Sequence, residues 1–229
     1  MAAYQKYKVV TERLPDAIKR AQKLADMAIE REMNEAQTTD VVEDILDVMF
    51  HYDRFDDRKP QYNIDGKSKN IVDILLDFND IRVPVEIKHA NLKLTAREEG
   101  QIEDYVKLLG CEFGILTTGV EWRLYQCAND GMLMVAHFRL DVDKPTDIAE
   151  QAYMFAKEAI KGGHTSKQAE LAAYLQAGNI ADALVSKRVL SAIRLEMKDK
   201  HGCNLDEADI RNVLMGEVVI SKLLRPVTP

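Results

Sequence analysis

The chain has 229 residues, of which 46% are hydrophobic and 30% are charged, and its formal net charge is −7. This length suits one well-buried domain with a small appended module, and the composition excludes long disordered segments. The acidic balance excludes a protein that coats nucleic acid through its overall field, so a nucleic-acid enzyme would need a local basic patch.

The first part of the chain has the spacing of two amphipathic helices. In residues 13–33, apolar side chains recur at positions 14, 18, 21, 25 and 28. Residues 35–50 repeat this one-sided pattern, which places Glu35 near the start of the second helix. Residues 53–69 are polar and rich in turn-forming residues, so we expect a loop or a short hairpin there.

The hydrophobic period then changes to two, which indicates β-strands. NIVDILLDF and IRVPVEIKHA are two extended runs separated by Asn79-Asp80, a pair typical of a tight hairpin turn. Residues 96–110 predict a helix that ends at Gly110 as its C-terminal cap. Three further strands are expected in CEFGILTTG, EWRLYQCA and MLMVAHFRL, and the single Trp122 is expected to be buried in the second of them.

The remainder of the chain is predicted to be helical. Pro145 can open a helix that runs to Ile160. Gly162-Gly163 is the best linker, and two or three helices are expected after it. The sequence therefore predicts an α/β domain over residues 1–161, with its core at 34–140, and a helical module over residues 164–229.

Signals for membranes, secretion and metal-binding cysteines are missing from the sequence. No run of about 18 apolar residues and no basic segment followed by an apolar core occurs, so we expect a cytoplasmic protein that does not use a membrane. The three cysteines are widely spaced, without a C-x-x-C pair, and we expect reduced thiols.

Three charged residues lie inside the two predicted strands of the hairpin. Glu86 and Lys88 point to the same side, and an antiparallel partner strand would bring Asp73 beside Glu86. Two close carboxylates repel each other unless a cation lies between them, so the arrangement suits a divalent metal with oxygen ligands, Mg²⁺ in particular. Lys88 could stabilise charge on a phosphate or orient the attacking water. The alternative is an edge hairpin with charges on its wet face, which needs no metal.

The ordered set of segments resembles the PD-(D/E)xK nuclease superfamily, and within it the N-terminal nuclease domain of type I restriction enzyme R subunits. NEAQTTDVVEDIL is similar to the first helix of the family, whose acidic residue falls on Glu35. IVDILL is similar to the strand of the first catalytic aspartate, Asp73, and VEIKHA to the strand that carries E-x-K. QIEDY fits the Q-x-x-x-Y element, and FGILTTGVEWRLY resembles the strand, turn and strand that follow.

Two departures from the family accompany this resemblance, which runs from about residue 34 to residue 125. Val72 stands where a proline usually precedes the aspartate. The chain also has no room for the motor domain of the restriction subunits. Its one P-loop-like fragment lacks the glycine of that motif, since Gln61 stands in its place.

The resemblance implies a restriction-endonuclease-like mixed β-sheet flanked by helices, with a small C-terminal helical module. It implies Mg²⁺ as cofactor, with Mn²⁺ as a substitute, held by Asp73 and Glu86 with Glu35 as an additional acidic group. It implies Lys88 as the catalytic lysine, and Gln101 and Tyr105 as residues that position the DNA backbone or that lysine. Phosphate contacts are predicted for the basic residues near the site, each with a solvated surface charge as the alternative: Lys67, Lys69, His89, Lys93 and Arg97.

Two functions remain open from the sequence. The first is a Mg²⁺-dependent deoxyribonuclease, expected to be an endonuclease, which hydrolyses phosphodiester bonds in a restriction or phage-related system. The second is a catalytically silent, nuclease-like module that binds DNA or another protein. The C-terminal helices could contact DNA, form a homodimer or bind a partner subunit, and one of them has a moderately basic face with Lys187, Arg188, Arg194, Lys198, Lys200 and His201.

Overall fold

The computed structural model describes residues 6, 8–66, 70–128, 131–141 and 144–219. The chain forms two compact units, Met1–Glu170 and Leu171–Pro229. This division falls a few residues after the predicted linker at Gly162-Gly163, and a separate function for the second unit stays a prediction. None of the helices in the described ranges is long and apolar enough to cross a bilayer.

A six-stranded mixed sheet forms the centre of the first unit, which confirms the predicted α/β class. The strands lie side by side in chain order: β1 (Arg58–Asn63), β2 (Ile71–Phe78), β3 (Ile81–Ile87), β4 (Phe113–Thr117), β5 (Glu121–Ala128) and β6 (Gly131–Arg139). Neighbouring strands are antiparallel, except that β3 and β4 are parallel. A parallel pair needs a crossover, and the helix between these two strands supplies it.

Local chemistry explains the central hairpin and the crossover helix. Asn79 and Asp80 have φ values of 48° and 62°, as a two-residue turn with both central residues left-handed requires. Helix α3 (Ala96–Leu109) begins with a capping box in which Thr95 and Glu98 satisfy each other's backbone N–H groups. It ends at Gly110, whose φ of 63° is the left-handed cap predicted from the sequence.

Helices on one side of the sheet enclose the larger hydrophobic cluster. They are α1 (Leu14–Glu30), which follows a π-helical turn at Val9–Arg13, α2 (Glu35–Val48), α4 (Pro145–Tyr153) and α5 (Lys157–Lys161). Trp122 is fully buried in this cluster, as predicted, and its ring contacts those of Phe50, Phe138 and Phe155.

Helix α3 packs against strands of the sheet in a second, smaller cluster. Its Ile102, Val106 and Leu109 contact Leu75 and Leu116 of the sheet. The helix lies so close to β4 that a Cβ atom at Gly114 would come within 2.5 Å of a methyl carbon of Val106. Glycine is therefore required at this position by packing rather than by backbone conformation.

The described part of the second unit is helical. The described residues from His164 onward form α6 (His164–Tyr174), which runs across the division between the units, α7 (Ala177–Leu184), α8 (Lys187–His201) and α9 (Glu207–Val213), followed by a π-helical turn at Leu214–Val219. The sequence predicted two or three helices for this part. Breaks of two residues, at 175–176 and 185–186, account for the larger number.

The structure differs from the sequence prediction at two further places. Residues 58–63, expected in a loop or a short hairpin, form the edge strand β1. Pro60 is tolerated there because an edge strand has a neighbour on one side only, so the missing N–H of proline does not interrupt pairing in the middle of the sheet. The helix predicted from Pro145 to Ile160 is interrupted at residues 154–156. There Phe155 is buried against Phe50, and the Lys157 N–H donates to the Phe50 carbonyl.

Candidate active site

Strands β2 and β3 separate at one end of the hairpin. Their register runs from Phe78 opposite Ile81 to Ile74 opposite Val85 and stops there, while β3 continues beside β4. Continuation of the same register would place Asp73 opposite Glu86. The two carboxylates therefore lie where the strands part. Backbone N–H groups of β3 that no longer pair with β2 can bind side chains there.

Asp73 is partly buried and held from two sides. One carboxylate oxygen, Oδ2, accepts a hydrogen bond from the backbone N–H of Ile87 at 2.8 Å. The other, Oδ1, accepts a hydrogen bond from the side-chain amide of Gln61 at 3.4 Å. Burial raises the pKa of Asp73 above its usual range, the bond from Ile87 opposes this, and the charge of Glu35 adds to it. The orientation of this carboxylate is fixed, but its negative charge is not fully compensated by the protein.

Glu86 is the most deeply buried carboxylate of this group, with 2% of its surface exposed. Its Oε1 accepts a hydrogen bond from the Lys88 ammonium, whereas Oε2 is buried with no hydrogen-bond partner among the described residues. Burial first, and the charge of Asp73 second, raise the pKa of Glu86 to about 7 against the opposing effect of Lys88. A buried carboxylate oxygen without a partner is costly and fits a site for a cation.

Lys88 follows the last residue of β3, and its backbone N–H donates to the carbonyl of Thr117 at 2.9 Å. Its side chain is 15% exposed. Burial acts to lower the pKa of Lys88, but the bond to Glu86 and the charges of Glu35 and Asp73 outweigh it, so the pKa is raised. The ammonium group stays protonated at neutral pH and can act on negative charge, not as a general base.

Glu35 is the first residue of α2 and is exposed. Its charge acts on the pKa values of all three residues above, so it lies within electrostatic range of them. Within the described ranges, no three or more His, Cys, Asp or Glu side chains form a group that could hold a metal ion. The structure thus brings Asp73, Glu86 and Lys88 together, and direct coordination by Glu35 stays a prediction.

Gln101 and Tyr105 lie on one face of α3, as their four-residue spacing predicts. The Gln101 amide donates to the Tyr105 hydroxyl at 3.1 Å, and this hydroxyl donates to the carbonyl of Ile71 at 2.9 Å. Burial raises the pKa of Tyr105, Gln101 opposes this, and the charges of Glu86 and Asp73 add to it. The pair therefore joins α3 to β2 close to the carboxylates.

The basic residues predicted to contact phosphates are only partly accounted for. Lys67 and Lys69 lie outside the described residues. His89, Lys93 and Arg97 are exposed, and Lys93 lines a cavity of about 510 Å³ next to the loop that follows Lys88. Contact of these side chains with phosphates stays a prediction.

An ionic network that was not predicted from the sequence lies on the wall of this cavity. Glu121, 5% exposed, accepts hydrogen bonds from Arg123, His137 and Arg139. Arg123 also donates to Glu99 of α3 at 2.7 Å. Burial alone would raise the pKa of Glu121, but its bonds from His137 and Arg123 hold it at about 2. The network connects α3 to β5 and β6, so it stabilises the helix that carries Gln101.

The sequence contained one signal for this network. Arg123 belongs to the stretch WRLY, which supported the family resemblance without giving that residue a role. Its function as a connector follows from the sheet register, in which Arg123 lies opposite Leu116 of the cluster that packs on α3. Gln61 was likewise missed, because its contact with Asp73 depends on the pairing of β1 with β2.

Comparison with known proteins gives one family. Residues 46–136 match the family model described as Type I restriction enzyme R protein N terminus (HSDR_N). The matched segment includes Asp73, Glu86, Lys88, Gln101 and Tyr105, whereas Glu35 lies before it. No curated protein and no solved structure matched the chain. The match confirms the resemblance drawn from the D…E-x-K and Q-x-x-x-Y patterns: residues 46–136 are similar to the N terminus of type I restriction enzyme R proteins.

Proposed function

We propose that this protein is a metal-dependent deoxyribonuclease that hydrolyses phosphodiester bonds, with Asp73, Glu86 and Lys88 as its catalytic residues. The observation that carries the proposal is the buried Glu86 carboxylate, whose Oε1 binds Lys88 and whose Oε2 has no partner in the described part of the chain. The family match over residues 46–136 supports a nuclease-like restriction function.

The residues present fit a divalent cation. The charge of Asp73 raises the pKa of Glu86, as expected of two close carboxylates without a cation, and the unpartnered Oε2 of Glu86 offers a ligand atom. Carboxylate oxygens suit Mg²⁺, with Mn²⁺ as a substitute, and waters would complete its coordination. When bound, such an ion polarises a phosphoryl oxygen and lowers the pKa of a bound water.

The side chains of the chain itself have separate tasks in this proposal. Asp73 presents a carboxylate whose orientation is fixed by the N–H of Ile87. Lys88, protonated and partly shielded from water, donates to a phosphate oxygen as negative charge develops there. Gln101 and Tyr105 hold α3 over the strand that carries Asp73.

The test is cleavage of closed circular and linear DNA by the full chain with Mg²⁺, Mn²⁺ or EDTA. Wild type is compared with Lys88→Ala and with Lys19→Ala, a matched control whose lysine is 63% exposed on α1. We expect cleavage by wild type and Lys19→Ala in either metal, none in EDTA, and a rate about 10²–10³-fold lower for Lys88→Ala. Cleavage in EDTA, or an unchanged rate for Lys88→Ala, contradicts the proposal. Cutting of the closed circle identifies an endonuclease, and degradation of linear DNA alone identifies an exonuclease.

The second candidate is a catalytically silent, nuclease-like binding module. The observation that favours it is the ion pair between Lys88 and Glu86, which already provides this carboxylate with a positive partner. Wild type and Asp73→Asn distinguish the two candidates when DNA binding is followed by fluorescence anisotropy. Saturable binding that is unchanged in Asp73→Asn, without cleavage in any metal, would establish the binding module. Formation of a homodimer, or binding of a partner subunit, through the C-terminal helices stays a separate proposal.

A further inference from the structure

Gln61 has an unusual backbone conformation inside strand β1. Its φ is 47°, in the left-handed region that β-strand residues do not normally adopt. The other described non-glycine residues with positive φ are Glu32, His51, Asn79 and Asp80, and each lies in a turn or in the connection that follows a helix. Among the described non-glycine residues with positive φ, only Gln61 lies within a strand.

The distortion at Gln61 is confined to a single residue. Pro60 pairs with Ile74 and Tyr62 pairs with Val72, so the register of β1 against β2 is the same before and after it. This register places Gln61 opposite Asp73. Because β1 is at the edge of the sheet, rotation of one of its residues disturbs pairing on one side only. The fold tolerates the rotation without losing the alignment of the two strands.

The rotated residue contacts the candidate active site. Its side-chain Nε2 donates to Oδ1 of Asp73 at 3.4 Å, while the Ile87 N–H donates to Oδ2 at 2.8 Å. The Asp73 carboxylate is thus held between β1 and β3. A neutral amide donor can fix a carboxylate without competing for it as a lysine or arginine would. Strained backbone at a functional site commonly serves to preorganise that site.

We propose that Gln61 is a positioning residue, whose left-handed backbone directs its amide at Asp73 and sets the direction in which this carboxylate meets a divalent cation. The inference rests on the proposed function, because it takes Asp73 as a ligand of the cation. It differs from that function in its test, since binding of the cation is measured without DNA and without cleavage.

The test uses Gln61→Gly, because glycine adopts a φ of 47° without strain and has no side-chain amide. The matched control is Asn79→Gly, which makes the same backbone change at a φ of 48° in the β2–β3 turn, at the opposite end of the hairpin from Asp73. Mn²⁺ binding to the full chains is measured by isothermal titration calorimetry, and thermal unfolding is recorded for each. Loss of the amide is expected to weaken Mn²⁺ binding by about tenfold, the lower end of the usual effect of a residue that orients a ligand. The Tm is expected to equal or exceed that of wild type, and Asn79→Gly should bind Mn²⁺ as wild type does.

Three outcomes with the variants overturn the inference. They are wild-type Mn²⁺ affinity in Gln61→Gly, an equal loss of affinity in Asn79→Gly, and a loss of affinity accompanied by a clearly lower Tm, which would indicate a structural role. Absence of Mn²⁺ binding by wild type overturns it as well. If wild type binds Mn²⁺ and cuts no DNA, the nuclease proposal fails, whereas a weaker affinity in Gln61→Gly still supports the positioning role.

Discussion

The hydroxyl of Tyr105 donates to the carbonyl of Ile71 at 2.9 Å, two residues before Asp73 in strand β2. The same hydroxyl accepts a hydrogen bond from the side-chain amide of Gln101 at 3.1 Å. Two side chains one helical turn apart thereby join α3 to the strand of the candidate catalytic aspartate. The Q-x-x-x-Y element consequently links the packing of a helix to the geometry of the site.

Replacement of Tyr105 by Phe tests this link. The change removes the donor to Ile71 in a site where Tyr105 is 6% exposed, so the free energy of unfolding should fall by about 1 kcal/mol. Urea unfolding measures this, and metal-dependent cleavage should fall with it. Tyr174→Phe is the control, since that tyrosine is 72% exposed and should be neutral. A Tyr105→Phe variant as stable and active as wild type would refute the link.

The pKa of Glu86 predicts how metal binding depends on pH. Because burial and Asp73 raise it to about 7, a cation must displace a proton from this carboxyl below that pH. The Mn²⁺ association constant should rise about fivefold between pH 6 and pH 7, where the pKa lies, and level off after about a further twofold rise. Calorimetric titrations from about pH 6 to about pH 8.5 measure this. An affinity independent of pH over that range would contradict the release of a proton from Glu86 when the metal binds.

The lowered pKa of Glu121 predicts how the stability of the fold depends on pH in acid. Its pKa is held at about 2, against the usual 4.5, so the ionised carboxyl stabilises the fold above pH 4.5. Because His137 and Arg139 are partly exposed and screened by water, we expect this stabilisation to be about 1–3 kcal/mol. This stabilisation is lost as the pH falls from 4.5 towards 2. Glu121→Gln should therefore be less stable than wild type at pH 7, and the two should converge in acid.

Urea unfolding at neutral and acidic pH checks this convergence. Glu196→Gln is the control, because its carboxylate is 62% exposed and pairs with Lys200 on the surface of α8, a contact worth about 0.5 kcal/mol or less. A stability difference for Glu121→Gln that stays constant with pH would mean that charge is not the basis of the network.

Two glycines near α3 predict opposite effects of the same substitution. Alanine at Gly114 would bring its Cβ within 2.5 Å of Val106 and 2.9 Å of Ile102, and we expect a loss of about 1–3 kcal/mol in unfolding free energy. Gly100 lies within α3, and apart from its chain neighbours and the backbone of the helix itself no atom of the described residues lies within 4 Å of such a Cβ, so Gly100→Ala should stabilise by up to about 1 kcal/mol. Denaturant unfolding of both variants tests the close approach of α3 to β4. Equal effects would contradict it.

The sequence by itself determined the features that depend on neighbouring residues. The one-sided patterns gave α1 and α2, the change to a period of two gave β2 and β3, and Asn79-Asp80 gave the turn between them. Gly110 gave the end of α3. Spacing within single elements also identified Glu86 with Lys88 and Gln101 with Tyr105, because residues two apart in a strand or four apart in a helix share a face.

Only the tertiary structure decided the features that join distant parts of the chain. The edge strand β1 carries no alternating pattern, and the break at residues 154–156 depends on burial of Phe155 against Phe50. The contact of Gln61 with Asp73 depends on the pairing of two strands across a loop. The network around Glu121 joins a helix to two strands. Such contacts arise from the register of the sheet and from packing, which no local periodicity encodes.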